Sequence, residues 1–348
     1  MHRSAQPISH HNNFDLLRFI AATLVILTHS YTAAGQMPQE PLVAWLGKHR
    51  DWGFKAFNLG MIGVHIFFVI SGYLVTASYE RRREGYIARR LLRIMPGLTA
   101  SILFCCFIIG PVFYQFSWGS YFTSPELYRY LSFAFIFPMV DYFTIPGLFD
   151  PVFPYSCPGL NISLWTIPWE IICYFTLPLL CKPSGYTKKH GIYALLAVLF
   201  FYWRLQEINF VGGVVDCLYF FAGFGLYRCR GYFRRLYDIR IGLIVFCALL
   251  SVYKTSLGDF VYFFTIPYLT IYFACHIKIW PDFAKVVKGD YSYGLYIYAW
   301  PIQQALVGLS NNSLEPWLMF IMSFSLTFLM AVLSWHCIEM PWLRKKPQ

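Results

Sequence analysis

Charge is what this chain has least of. Only 13% of its 348 residues are Asp, Glu, Lys or Arg, whereas 57% are hydrophobic and 20% aromatic, with mean hydropathy +0.49. A water-facing surface carries roughly 25–35% charged residues, so a soluble globular domain is excluded. Polar intervals of domain size are also missing, which leaves one domain over residues 1–348, with short tails at 1–13 and 338–348. Metal-site spacing is absent as well. The ten cysteines are scattered through apolar stretches with only Cys105 and Cys106 adjacent, so they read as small buried hydrophobes and no metal is expected.

What the chain does have is a series of apolar runs. They lie at 14–34, 59–79, 93–115, 161–181, 190–204, 208–227, 241–254, 259–276, 291–309 and 316–337. A membrane-spanning helix needs about 20 such residues, so the pattern predicts an all-α polytopic membrane bundle of about ten transmembrane helices. "YLSFAFIFPMV" at 130–140 reads as a re-entrant or interfacial piece. The run that follows Arg3 is too long for a cleavable signal, and Asp15 and Arg18 would be odd occupants of its start.

Lys and Arg set the orientation, because short basic loops stay in the cytoplasm. With the N-terminus inside, twenty-one fall on inner segments and six on outer ones, and Arg18 lies within the first span. Both termini are therefore expected in the cytoplasm. The net charge of +11 is then an inside-anchoring signal, and no nucleic-acid partner is expected.

Three ionisable residues sit where hydrocarbon penalises them. "FDLLRFIAATLVILTHSY" carries Asp15, Arg18 and His29. Arg18 and His29 are eleven apart, which returns a helix to within about 20° of its start and separates them by roughly 16 Å. Asp15 is placed to pair with Arg18. Glu170 lies inside another apolar run, at a depth read as similar to that of His29, and a carboxylate on one imidazole nitrogen would raise the basicity of the other. Intramembrane ionisable groups mark a site or pathway, although snorkelling for Arg18 and packing for His29 and Glu170 remain open. "GVHIFFVISGYLVTASYERRREGYIARRLLRIMP" joins the Ser71-Gly72 step to the most basic loop, whose guanidinium groups suit phosphate or serve orientation alone. His65 in that span reads as a packing residue.

These stretches together resemble the acyltransferase 3 family of membrane acyltransferases. "LRFIAATLVILTHSY" is similar to its Arg-x10-His opening, "GVHIFFVISGYL" to its Gly-Val-x-x-Phe-Phe-x-x-Ser-Gly-Phe-Leu segment, and "RRLLRIMP" to its Arg-x-x-Arg loop. "SLWTIPWEIICYF" keeps the Trp165, Glu170 and Tyr174 spacing of its Trp-x4-Glu-x3-Tyr helix, and "YSYGLYIYAWPI" and "CIEMPWLRK" resemble its two C-terminal signatures. The chain departs in two places. Ala299 stands where many relatives have histidine, leaving His29 as the catalytic imidazole, and His65 stands where relatives are often acidic.

The resemblance implies transfer of an acyl group, commonly acetyl from acetyl-CoA, to a hydroxyl of a surface polysaccharide or lipid-linked glycan such as lipopolysaccharide, in the bacterial plasma membrane. On this reading Arg18, Arg90 and Arg93 hold the phosphates of acyl-CoA, and its pantetheine arm spans the 16 Å to His29. His29 acts as general base, or as acyl carrier, with Glu170 steadying its imidazolium. Asp15, Ser71, Trp165 and Tyr174 support the site. The aromatic outer segment 116–160 faces the acceptor or forms an interfacial belt. A secondary transporter binding an anion through Arg18, His29 and Glu170 is the alternative, although no internal repeat supports it, and a scaffolding subunit is a third. The residues leave the oligomeric state undetermined.

Overall fold

Backbone amides in hydrocarbon must be satisfied within their own segment, so apolar runs of this length fold as helices. The computed structural model describes residues 12–36, 39–42, 58–136, 145–149, 159–181, 211–233, 238–252, 256–277, 287 and 289–345. No strand occurs among them. The main helices are α1 (Phe14–Ala33), α2 (Leu59–Arg81), α3 (Tyr86–Phe104), α4 (Pro125–Ile136), α5 (Ile167–Leu180), α6 (Val211–Arg228), α7 (Ile239–Val252), α8 (Ser256–Cys275), α9 (Ser292–Ser310) and α10 (Pro316–Ser334).

Among the described residues, five helical rods are long and apolar enough to cross a membrane: Phe14–Ala33, Leu59–Arg81, Tyr86–Phe113, Ile162–Leu180 and Pro316–Arg344. The runs expected at 208–227, 241–254, 259–276 and 291–309 also fold as helices, α6 to α9. That at 190–204 lies outside the described residues, as does the end of the 130–140 piece, whose start belongs to α4. Trp317, Leu318, Ile321, Leu326, Leu329 and Leu333 make the exposed face of α10 mostly apolar, and exposed Ser325 returns its hydroxyl to the Ile321 carbonyl at 2.8 Å, as lipid contact requires.

Helix α2 is the axis of the bundle, packed between α1 and α6, while α9 lies between α1 and α10. Glycine permits both of its contacts. A Cβ on Gly63 would stand 2.4 Å from the Ala21 carbonyl oxygen on α1, and one on Gly72 would stand 1.9 Å from that of Phe220 on α6. Backbones approach this closely in membranes because small residues and dispersion, not the hydrophobic effect, hold helices together. The start of α2 is capped by Asn58, whose side chain accepts the Met61 N–H at 2.9 Å.

Helix α9 carries Pro301, which has no N–H and leaves the Ile297 carbonyl without its in-helix donor. Two neighbours supply donors instead: Ser101 Oγ on α3 at 3.0 Å and Asn161 Nδ2 at 2.7 Å. Asn161 also caps the 3₁₀ turn Ile162–Thr166 that leads into α5. One proline thus registers α9 against both α3 and the entry to α5, the elements that build the site.

Substituting Gly72 with valine should lower the unfolding temperature of the detergent-solubilised protein, because overpacking against backbone costs about 1–3 kcal/mol or more. Gly225→Ala, where nothing lies within 4 Å of the added methyl, should leave it equal or higher. Equal melting of Gly72→Val and wild type would remove the close contact from the account.

Candidate functional site

A cavity of about 110 Å³ runs along one side of α2, from Val75 past Ser71 and Phe67 to Val64. Eleven residues of helix make it roughly 16 Å long. Its other walls come from α1, α3, α5 and α9, and its chemistry changes along its length.

One end is ionic. Arg18 on α1 and Arg93 on α3 both donate to Asp290 Oδ2, just before α9, at 3.2 and 2.5 Å. Arg93 also donates to Glu339 Oε2 at 3.1 Å and lies over the rings of Tyr293 and Trp335. Glu339 ends a π-helical segment, Trp335–Glu339, that prolongs α10, and its other oxygen accepts from Ser334 at 3.0 Å. Asp15 lies 3.4 Å from Arg18. Burial alone would raise the Asp290 carboxyl, but Arg93, Arg18 and the Ser292 hydroxyl and N–H overcome it and hold it at about 2. Arg90 differs from its neighbours. It donates to Ser78 Oγ at 2.9 Å, its Nε is buried without a partner, and no carboxylate pairs with it among the described residues.

The middle is a carboxylate held by hydroxyls. Glu170 Oε1, near the start of α5, accepts from Tyr174 at 2.5 Å and from Ser71 at 3.1 Å. The expected contact between Glu170 and His29 is not formed. Glu170 lies one turn from Thr166, whose hydroxyl meets Tyr296 at 2.8 Å, and Tyr296 lies one turn from Trp300 along α9. Two turns of helix, about 12 Å, thus separate Glu170 from the level of Trp300, where His29 sits. The similar depth read from the sequence is corrected accordingly: Glu170 sits at the level of Ser71 on α2, below Trp300 and His29.

The far end is apolar around Val64, Phe67 and Ile167, with the Thr166 and Tyr296 hydroxyls at its floor. His29 does not line this cavity. It lies beyond Tyr296 along α9, its ring edge-on to Trp300 at 5.1 Å, and its Nδ1 is buried with no hydrogen-bond partner among the described residues. Trp300 is itself pinned by its indole N–H to the Gly159 carbonyl at 2.7 Å. Trp165 packs against Gly212 of α6 and does not reach the cavity. His65 faces away from it, stacked on Tyr219 at 3.9 Å, bonded to Tyr262 at 3.0 Å and 3.5 Å from the buried Asp216.

The structure therefore gathers Arg18, Arg90, Arg93, Ser71, Glu170 and Tyr174 into one cavity, with His29 set beyond its end. Sequence reasoning missed Asp290, Glu339, Thr166 and Tyr296. Their signal was present: all lie in or beside the stretches "SLWTIPWEIICYF", "YSYGLYIYAWPI" and "CIEMPWLRK". Asp290 and Glu339 passed as ordinary because the first falls between apolar runs and the second beyond the last one.

An apolar helical bundle that walls a cavity with arginines and carboxylates carries the kind of intramembrane ionisable cluster that marks a site. The family model described as acyltransferase domain matches residues 11–336, and the chain belongs to that family, the acyltransferase 3 membrane acyltransferases. It is similar to the O-acetyl transferase of Shigella phage Sf6, 28% identical over 349 residues and covering 96% of each chain. It is also similar to nodulation protein 10 of Rhizobium leguminosarum bv. viciae, 28% identical over 366 residues covering 95% of this chain and 93% of that one. No solved structure matches the chain significantly.

Because the Asp290 carboxyl is lowered on folding, its stabilisation is fully present above about pH 4 and is lost as pH falls through about 2. The contribution is of order 2 kcal/mol. The unfolding temperature should drop across that window, and Asp290→Asn should lower it at neutral pH while flattening the acid limb. An unaltered acid limb in the variant would assign the effect to other carboxylates.

Proposed function

We propose that the protein is a membrane O-acetyltransferase that moves an acetyl group from cytoplasmic acetyl-CoA to a hydroxyl of a surface polysaccharide or lipid-linked glycan in the bacterial plasma membrane. The observation that carries this reading is the cavity itself: guanidinium groups at one end, walls drawn from roughly 16 Å of α2 by helix rise, and an imidazole beside Trp300 outside its lining. The similarity to a phage O-acetyl transferase over nearly the full length of both chains supports the acetyl group.

Phosphates of the donor dock at the ionic end. Arg18 and Arg93 are already matched by Asp290 and Glu339, so Arg90, with no carboxylate partner among the described residues and a spare buried N–H, is the first cation a phosphate meets. Glu170 Oε1 is engaged by Ser71 and Tyr174, and Oε2 accepts an amide N–H of the pantetheine arm. In this assignment Glu170 positions the donor and does not orient the imidazole.

At the far end His29 takes the proton of the acceptor hydroxyl as its oxygen attacks the thioester carbon. A C–O bond forms, the C–S bond breaks, and the proton passes from His29 to the departing thiolate. A positioned base contributes about 10² to 10⁴ in rate.

The test uses membranes carrying their native acceptor, labelled acetyl-CoA, and release of CoA. His29→Ala should lower kcat by at least about 10²-fold. Turnover independent of His29 removes it as base, and solute uptake without CoA release would favour transport. Arg90→Gln should raise the donor KM about tenfold or more, since a hydrogen bond to a charged group is worth about 1.5–3 kcal/mol, with kcat within about threefold. An unchanged donor KM in the folded variant would return Arg90 to a topological role.

A further inference from the structure

Thr166 and Tyr296 form the floor between the cavity and His29, and their hydroxyl oxygens are 2.8 Å apart. Both residues are buried, at 5% and 6% exposure. Thr166 occupies the N-cap position of α5, where a threonine hydroxyl ordinarily accepts a backbone N–H, yet it makes no such bond and turns to Tyr296 instead. The Phe67 ring stands against Tyr296 at 5.8 Å, in T-shaped contact.

Two hydroxyls joined by one hydrogen bond carry two protons and spend only one between them. Whichever oxygen donates, the other retains an O–H. Neither Thr166 nor Tyr296 makes another side-chain hydrogen bond among the described residues. The unspent donor lies at the end of the cavity opposite the arginines, in a water-poor setting that strengthens a hydrogen bond to a nascent charge.

We infer that the Thr166–Tyr296 hydroxyl pair is the oxyanion donor of the acyl transfer. This rests on the acyl-CoA reading above, which brings the thioester to the floor of the cavity. As the acceptor oxygen attacks, the carbonyl π pair moves onto oxygen and the unspent O–H of the pair donates to it. On collapse the carbonyl re-forms, the C–S bond breaks, and the thiolate takes the proton held on His29. Hydroxyl of one residue supports hydroxyl of the other, so the two act as a unit.

The experiment compares Tyr296→Phe, Thr166→Val, the double variant and Thr166→Ser in membranes with acetyl-CoA and the native acceptor, reading kcat and donor KM from CoA release. Losing one oxyanion donor costs about 10²-fold or more in kcat. Each single variant should show a loss of that order with donor KM within about threefold. The double variant should be no worse than the poorer single one by more than about threefold, and Thr166→Ser should recover most of what Thr166→Val loses. If Tyr296→Phe does not fold, the Thr166→Val and Thr166→Ser pair carries the test. Variants of wild-type thermal stability with kcat within threefold of wild type would overturn the inference alone, and so would losses confined to donor KM. Wild-type membranes that release no CoA from acetyl-CoA would overturn the acyl-CoA reading, and this inference with it.

Discussion

The Asp290 carboxylate, held between Arg18 and Arg93 at 3.2 and 2.5 Å, is the interaction on which the rest of the site depends. It ties α1 to α3 at the foot of α9, and Arg93 extends the tie to Glu339 beyond α10. Charges removed from water are tolerable only when matched and fully hydrogen-bonded. Here the matching sets which guanidinium groups are spoken for and which one, Arg90, keeps a spare donor. The geometry of the cavity's ionic end follows from that pairing.

The same demand for satisfied polar groups shapes the rest of the bundle. Pro301 frees the Ile297 carbonyl, and Ser101 and Asn161 answer it from two other elements. That exchange fixes the height of Tyr296 and Trp300 relative to α5, and so where the cavity ends. The His65–Asp216 pair is another buried polar cluster. It sits among Tyr219 and Tyr262 on a flank of α2, about 100° around the helix from the cavity, where it joins α2, α6 and α8 without a share in the proposed chemistry.

The separation of His29 from the cavity gives the proposed reaction its division of labour. The donor's anionic end is held about three turns from the imidazole, the spacing of Arg18 and His29 along α1, and the floor formed by Thr166 and Tyr296 lies between. Positioning and charge stabilisation then fall to groups on α5 and α9, while α1 supplies an arginine at one level and the imidazole at another. A single helix thus measures the distance between the two ends of the substrate path.

Much of this was readable in the residues. Hydrocarbon allows few solutions, so runs of about twenty apolar residues predict helices wherever they occur, and the periodicity of α1 alone sets Arg18 and His29 on one stripe. Ionisable groups in such runs stand out by their cost, which is why Arg18, His29 and Glu170 were found. Asp290, Glu339, Thr166 and Tyr296 were not, although they lie in or beside the stretches that carry the family resemblance, because hydroxyls and carboxylates near helix ends are common and their role shows only once a partner is known. Composition and spacing within each helix settled the class of fold and singled out the ionisable residues that needed partners. Which helices touch, at what height, and therefore that Glu170 meets Ser71 and Tyr174 in place of His29, was decided only by tertiary packing: contacts between segments a hundred residues apart depend on glycine clearances and proline-freed carbonyls that no single helix reveals.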